Sequence, residues 1–135
     1  MVINVHRRCA FAGGFAYGDR MGRLTTHILD TAHGVPAAGI AVRLFALGND
    51  RVLCAAAVTD ADGRTDGPLL EGDRLTTGAY ELEFDVGEYF RARDAGTDEP
   101  SFLGTVVIRF SMLSGEHYHV PLLVSPWSYT TYRGS

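Results

Sequence analysis

Long apolar runs are missing from this sequence of 135 residues, and no hydrophobic stretch approaches the roughly 20 residues needed to cross a bilayer as a helix. Also missing is any extended Lys/Arg cluster. With a net charge of −4, that argues against nucleic acid or an anionic membrane surface as the partner. Cysteine is scarce: Cys9 and Cys54 are too few for a disulfide scaffold and lack metal-site spacing, which fits a reducing compartment, and the expected location is cytoplasmic. There is no Gly-rich phosphate loop, no G-x-S-x-G elbow, no Cys/His pair of catalytic type, and no internal repeat or low-complexity run. What is present is near average for folded soluble proteins. The chain is 46% hydrophobic and 21% charged, and it is long enough for one domain with a real core.

Residues 1–22, MVINVHRRCAFAGGFAYGDRMG, differ from the rest of the chain. They carry three arginines and an apolar segment broken by Gly13 and Gly14, a poor match to a secretory signal. They are expected to form an N-terminal extension, flexible or non-native, with Met21 a candidate natural start, and the organised domain is expected to span 23–135. Within it, RLTTHILDT places Leu24, Thr26 and Ile28 on one side of a strand and Thr25, His27 and Leu29 on the other. HGVPAAG reads as a loop. IAVRLFAL and RVLCAAAVTD read as strands joined by the Gly48-Asn49-Asp50 turn, and DADG as a further turn. AYELEFDV alternates most cleanly, with Tyr80, Leu82, Phe84 and Val86 facing in and Glu81, Glu83 and Asp85 facing water. EYFRARDA after Gly87 predicts two helical turns; TVVIRFSM, YHVPLLVS and SYTTYR predict further strands. Seven or eight short strands with almost no helix predict an antiparallel β-sandwich, a fold whose edges are often paired in oligomers.

Several residues carry candidate chemistry. His117 and His119, at i and i+2, point to one face of their strand. With His27 they could form an open zinc site; without a matching carboxylate or cysteine, the alternatives are acid/base work by an imidazole titrating near neutral pH, or histidines satisfied by neighbours and water. His27 by itself reads equally as a buried or interface histidine. Arg64 closes TDADGR, where a solvated residue past a turn is the ordinary reading. Asp60, Asp62 and Gly63 resemble part of a calcium loop, but the later ligands and the closing Glu are absent, so a turn is expected. The end of the chain is unusually polar: Tyr132, Arg133 and Ser135 offer a phenol, a guanidinium and a hydroxyl, with Gly134 letting the backbone bend between them.

Taken together, LTTHILDTAHGVPAAGIAVRLF, TDADGR, TGAYELEFDVGEYF and HYHVPLLVSPWSYTTYRGS resemble the transthyretin-related 5-hydroxyisourate hydrolases of purine degradation, over about residues 23–135. The resemblance implies a transthyretin-like sandwich of two four-stranded sheets with one short helix. It implies a homotetramer, a dimer of dimers, with active sites in a channel between dimers and the polar C-terminus folded into them. The implied reaction opens a ring lactam of 5-hydroxyisourate to give 2-oxo-4-hydroxy-4-carboxy-5-ureidoimidazoline, with no cofactor and no metal. The residues implied to be catalytic are His27, Arg64, His119 and Ser135. Those implied to bind substrate are His27, Arg64, Tyr132, Arg133 and Gly134. The alternative reading is a transthyretin-like carrier of a small aromatic ligand, but carriers of that kind lack the histidine set and the Tyr-Arg-Gly-Ser ending.

Overall fold

The computed structural model describes residues 1–4, 22–93 and 99–134. Most of the expected extension, Cys9, Met21 and the catalytic candidate Ser135 lie outside the described residues. Among the described residues ten strands are formed: Ile3–Asn4 (β1), Arg23–Asp30 (β2), Val35–Pro36 (β3), Ala41–Leu47 (β4), Arg51–Val58 (β5), Leu70–Glu71 (β6), Gly78–Asp85 (β7), Thr105–Met112 (β8), His117–Val124 (β9) and Tyr129–Thr131 (β10). One sheet runs β1-β5-β4-β7-β8 and the other β10-β9-β2-β3, with β6 also on β2. Four-stranded frames underlie both, and the short β1 and β3 add to them. The part of HGVPAAG read as loop thus contributes two strand residues, which pair with Leu29 and Asp30. β2 and β9 run parallel, whereas the other described strand pairs are antiparallel.

The two-residue period decides what is buried. Leu24, Thr26, Ile28 and Asp30 of β2 face the opposite sheet, as do Tyr118, Val120, Leu122 and Val124 of β9 and Tyr80, Leu82 and Phe84 of β7. Each large apolar side chain so buried contributes about 2 kcal/mol relative to exposure. Glu81 departs from its expected place in water. It is only 7% exposed, because Arg109 of β8, its cross-strand partner, and Arg51 of β5 lie over it at 2.7 and 3.1 Å. Hydrogen bonds from Arg109 and then Arg51 hold its carboxyl below the usual range.

The helix, Val86–Ala92 (α1), begins two residues before the predicted segment. Val86, Tyr89 and Phe90 recur at helical spacing and are buried together, so packing draws the first turn back to the end of β7. Tyr89 donates its hydroxyl to Asp30 Oδ2 at 2.7 Å and so ties α1 to the end of β2. Asp30 also accepts hydrogen bonds from the Ala32 and His33 backbone N–H groups and from His33 Nδ1. Burial pushes the Asp30 carboxyl up, but these bonds, from Tyr89 first, outweigh it and leave the group below its ordinary value.

At the far edge, Ile3 and Asn4 pair with Ala56 and Ala55, so the first residues lie along β5. Cys54, in the same strand, is disulfide-bonded. The reading of the cysteines as favouring a reducing compartment therefore loses its support.

Candidate active site

β2 and β9 present their outer faces side by side. In parallel register Arg23 lies opposite His117 and Thr25 opposite His119. Alternation then puts Arg23, Thr25, His27, His117 and His119 on one surface of the sheet, turned away from the core. Thr25 Oγ1 and His119 Nδ1 are 2.8 Å apart.

The DADGR turn docks against the free edge of β2, between β3 and β6. Asp60 Oδ1 accepts hydrogen bonds from the N–H groups of Asp62 and Arg64, the turn chemistry expected in place of a calcium loop. Ile28 N–H donates to the Gly63 carbonyl at 2.8 Å, and His27 and Arg64 form an isolated bridge. Gly63 is required here: its φ is +74°, and a Cβ would stand 2.3 Å from the Ile28 carbonyl oxygen. His27 Nε2 lies 2.8 Å from the Asp62 carbonyl oxygen. A carbonyl only accepts, so Nε2 carries the proton and Nδ1 of the neutral ring is left as an acceptor. The Arg64 side chain is exposed and its guanidinium makes no hydrogen bond among the described residues.

The C-terminal segment returns along β9. Gly134 N–H donates to the His119 carbonyl at 2.6 Å. A Cβ at Gly134 would lie 2.9 Å from His119 Cδ2, so glycine is needed for the tail to lie flat against the imidazole. Arg133 anchors this arrangement: it donates to the His117 carbonyl at 3.0 Å and sits 4.2 Å over the Tyr118 ring. Tyr132 is 58% exposed and lines the groove beside His119.

Two adjoining hollows share the H-x-H pair. A cleft of about 420 Å³ is lined by Arg23, Thr25, Arg64, His117, Tyr118 and His119. An open groove of about 880 Å³ runs past His117 and His119 to Tyr132, Arg133 and Gly134. The structure thus brings His27, Arg64, His119, Tyr132, Arg133 and Gly134 into one region. It adds Arg23 and Thr25, which the sequence did not single out, and His117, which it singled out only as a possible partner of His119. Their signal was there in the alternation of RLTTHI and HYH, but only the pairing of β2 with β9 makes it specific. Among the described residues no group of three His, Cys, Asp or Glu side chains is placed to hold a metal ion.

The His119 ring titrates below its ordinary value, first because burial disfavours the cation, then because Arg64 and His27 repel it. It is therefore neutral at pH 7, next to a guanidinium that has no hydrogen-bond partner among the described residues. A neutral imidazole beside a cation can take a proton while an oxyanion forms close by.

Comparison with known proteins identifies the family. The family model described as HIUase/Transthyretin family matches residues 24–134. The 5-hydroxyisourate hydrolase of Ralstonia nicotianae is 54% identical over 117 residues, covering 85% of this chain and 100% of that protein. The structure of Klebsiella pneumoniae 5-hydroxyisourate hydrolase superposes with a TM-score of 0.68 at 37% identity, covering 86% of this chain and 95% of that one. That of (S)-allantoin synthase superposes at 0.82 with 45% identity, covering 87% of this chain but only 45% of the other, so this chain corresponds to about half of that protein. The chain belongs to the HIUase/transthyretin family.

Proposed function

We propose that this protein hydrolyses 5-hydroxyisourate in urate degradation, and that His119 is the general base. The observation that carries the assignment is the neutral, partly buried His119 set between Thr25, Arg64 and the tail. Relatives at about half identity carry the hydrolase name over nearly their whole lengths.

Water adds to a lactam carbonyl carbon of the six-membered ring. As the O–C bond forms, the water's proton passes to His119 Nε2, and negative charge on the carbonyl oxygen is balanced by the Arg64 guanidinium. The C–N bond then breaks as His119 returns the proton to the departing nitrogen, leaving a carboxylic acid that ionises. No electrons leave or enter the substrate, so the step calls for no redox cofactor. His27, its Nε2–H held by the Asp62 carbonyl, offers Nδ1 to a ring N–H. Tyr132 orients the ring from the groove side, Arg133 and Gly134 seat the tail beside His119, and Ser135 belongs to the proposal as a helper at the water.

The same proposal makes the enzyme a homotetramer, a dimer of dimers. Its support is that among the described residues β8 and β10 each pair on one side only, that Trp127 and Tyr129, just before and in β10, are 60% and 44% exposed, and that the cleft is open in a single chain. A carrier of aromatic ligands is disfavoured by the titratable, cationic lining of the cleft.

The test is direct. 5-Hydroxyisourate made in situ by urate oxidation should lose its ultraviolet absorbance faster with the protein than without it. His119→Asn should lower kcat about 100-fold. Unaccelerated decay rejects the activity; near-normal turnover by the variant rejects the base.

A further inference from the structure

We infer that Thr25 is a positioning residue: its hydroxyl accepts the Nδ1 proton of His119 and thereby leaves Nε2 bare, aimed at the substrate as the base. This rests on the role proposed for His119.

Three observations carry it. Thr25 and His119 face each other in parallel register, and their side chains meet at 2.8 Å. Among the described residues neither group has another side-chain hydrogen bond, so the pair is exclusive. The tail also runs close beside the ring, since a Cβ added at Gly134 would stand 2.9 Å from His119 Cδ2. With one nitrogen held and the tail beside Cδ2, the ring has little room to turn.

The tautomer follows from chemistry. If the hydroxyl donated to Nδ1, the neutral ring would carry its proton on Nε2 and could not act as a base there. If the hydroxyl accepts from Nδ1–H, Nε2 is free to take a proton, and the same hydrogen bond persists in the imidazolium that forms. A hydroxyl serves both states by rotating. It differs from the carboxylate that often backs a histidine in being uncharged, so it favours this tautomer while stabilising the cation less than an acid would. The charged and titratable groups around His119 among the described residues are Arg64, His27, Arg23, His117, Arg133, Tyr118, Tyr132 and Glu116, whose carboxylate lies 3.7 Å from the Arg133 guanidinium. Thr25 therefore orients a weak base that stays neutral.

The test uses the full chain and three readouts. Thr25→Val keeps the β-branched shape that suits a strand and removes the hydroxyl. We expect kcat to fall about tenfold with KM nearly unchanged, since the lost bond acts on the base and not on substrate binding. Thr25→Ser should recover most of that rate. Nitrogen-15 spectra of the free protein should show His119 as the Nδ1–H tautomer, and in Thr25→Val as a mixture with Nε2–H. The acid limb of the Thr25→Val profile should move to lower pH, because the imidazolium has lost an acceptor. If His119→Asn is impaired while Thr25→Val keeps wild-type kcat, tautomer and pH profile, the inference is overturned and the base assignment survives. If His119→Asn is unimpaired, the base assignment itself has failed.

Discussion

His119 shows how single residues are tuned here. Burial comes first in lowering its proton affinity, and Arg64 and then His27 add to it, so the ring trades basicity for being unprotonated at neutral pH. Replacing Arg64 by Gln removes one repulsion and not the burial. The His119 titration midpoint, followed by NMR, should therefore rise in Arg64→Gln yet stay below the ordinary 6.5. An unchanged midpoint would mean that the guanidinium is too far or too well hydrated to act. The sign also fixes a stability effect. Because the folded ring binds a proton less readily than the unfolded one, this residue lowers stability only as pH falls from about 6.5 toward the folded midpoint, and is neutral above. The Asp30 carboxyl has the same sign in a lower pH window: its contribution is present above the ordinary carboxylate value and is lost on acidification through the lower folded one.

At the scale of elements, the site is a junction of two pieces of chain with the paired strands β2 and β9. The DADGR turn brings Arg64 to the edge of β2, the tail brings Tyr132 and Gly134 to β9, and the parallel pairing aligns Thr25 with His119. Two glycines allow the close approaches. Gly134→Ala places a methyl group 2.9 Å from His119 Cδ2, so the ring or the tail must shift. A displacement of that kind costs far more in catalysis than in folding. Activity should drop at least about tenfold while the melting temperature, read by circular dichroism, stays within a few degrees. A fully active Gly134→Ala would show that the tail does not confine the ring. Legibility divides in the same way. TVVIRFSM is strand β8 residue for residue and the alternation of β2 is as expected, because each reflects only the local period of extended chain. The start of α1 and the burial of Glu81 were not legible, since both depend on what packs across from them.

The whole molecule leaves the cleft open on one side. A groove of about 880 Å³ bounded by a 58% exposed Tyr132 is a poor place to exclude water from a lactam. On the tetramer proposal a second copy closes it. Deleting residues 132–135 should then abolish turnover while light scattering still finds four chains and the melting temperature changes little. A truncated protein that remains active would remove the tail from the mechanism, and a monomer that remains active would remove the assembly.

The sequence by itself determined the strands, the inward faces of the sandwich, the docking turn and the kinds of residue available for chemistry, because alternation, turn residues and side-chain types are local properties. The family resemblance further pointed to His27, Arg64, His119 and the tail. Only the tertiary structure decided that β2 and β9 run parallel in the register that sets Thr25 on His119, that Arg133 grips the backbone of its own sheet, and that Arg23 and His117 line the cleft. Those facts depend on which strands become neighbours and on how they are aligned, and contacts between residues some ninety positions apart leave no periodicity for a single sequence to display.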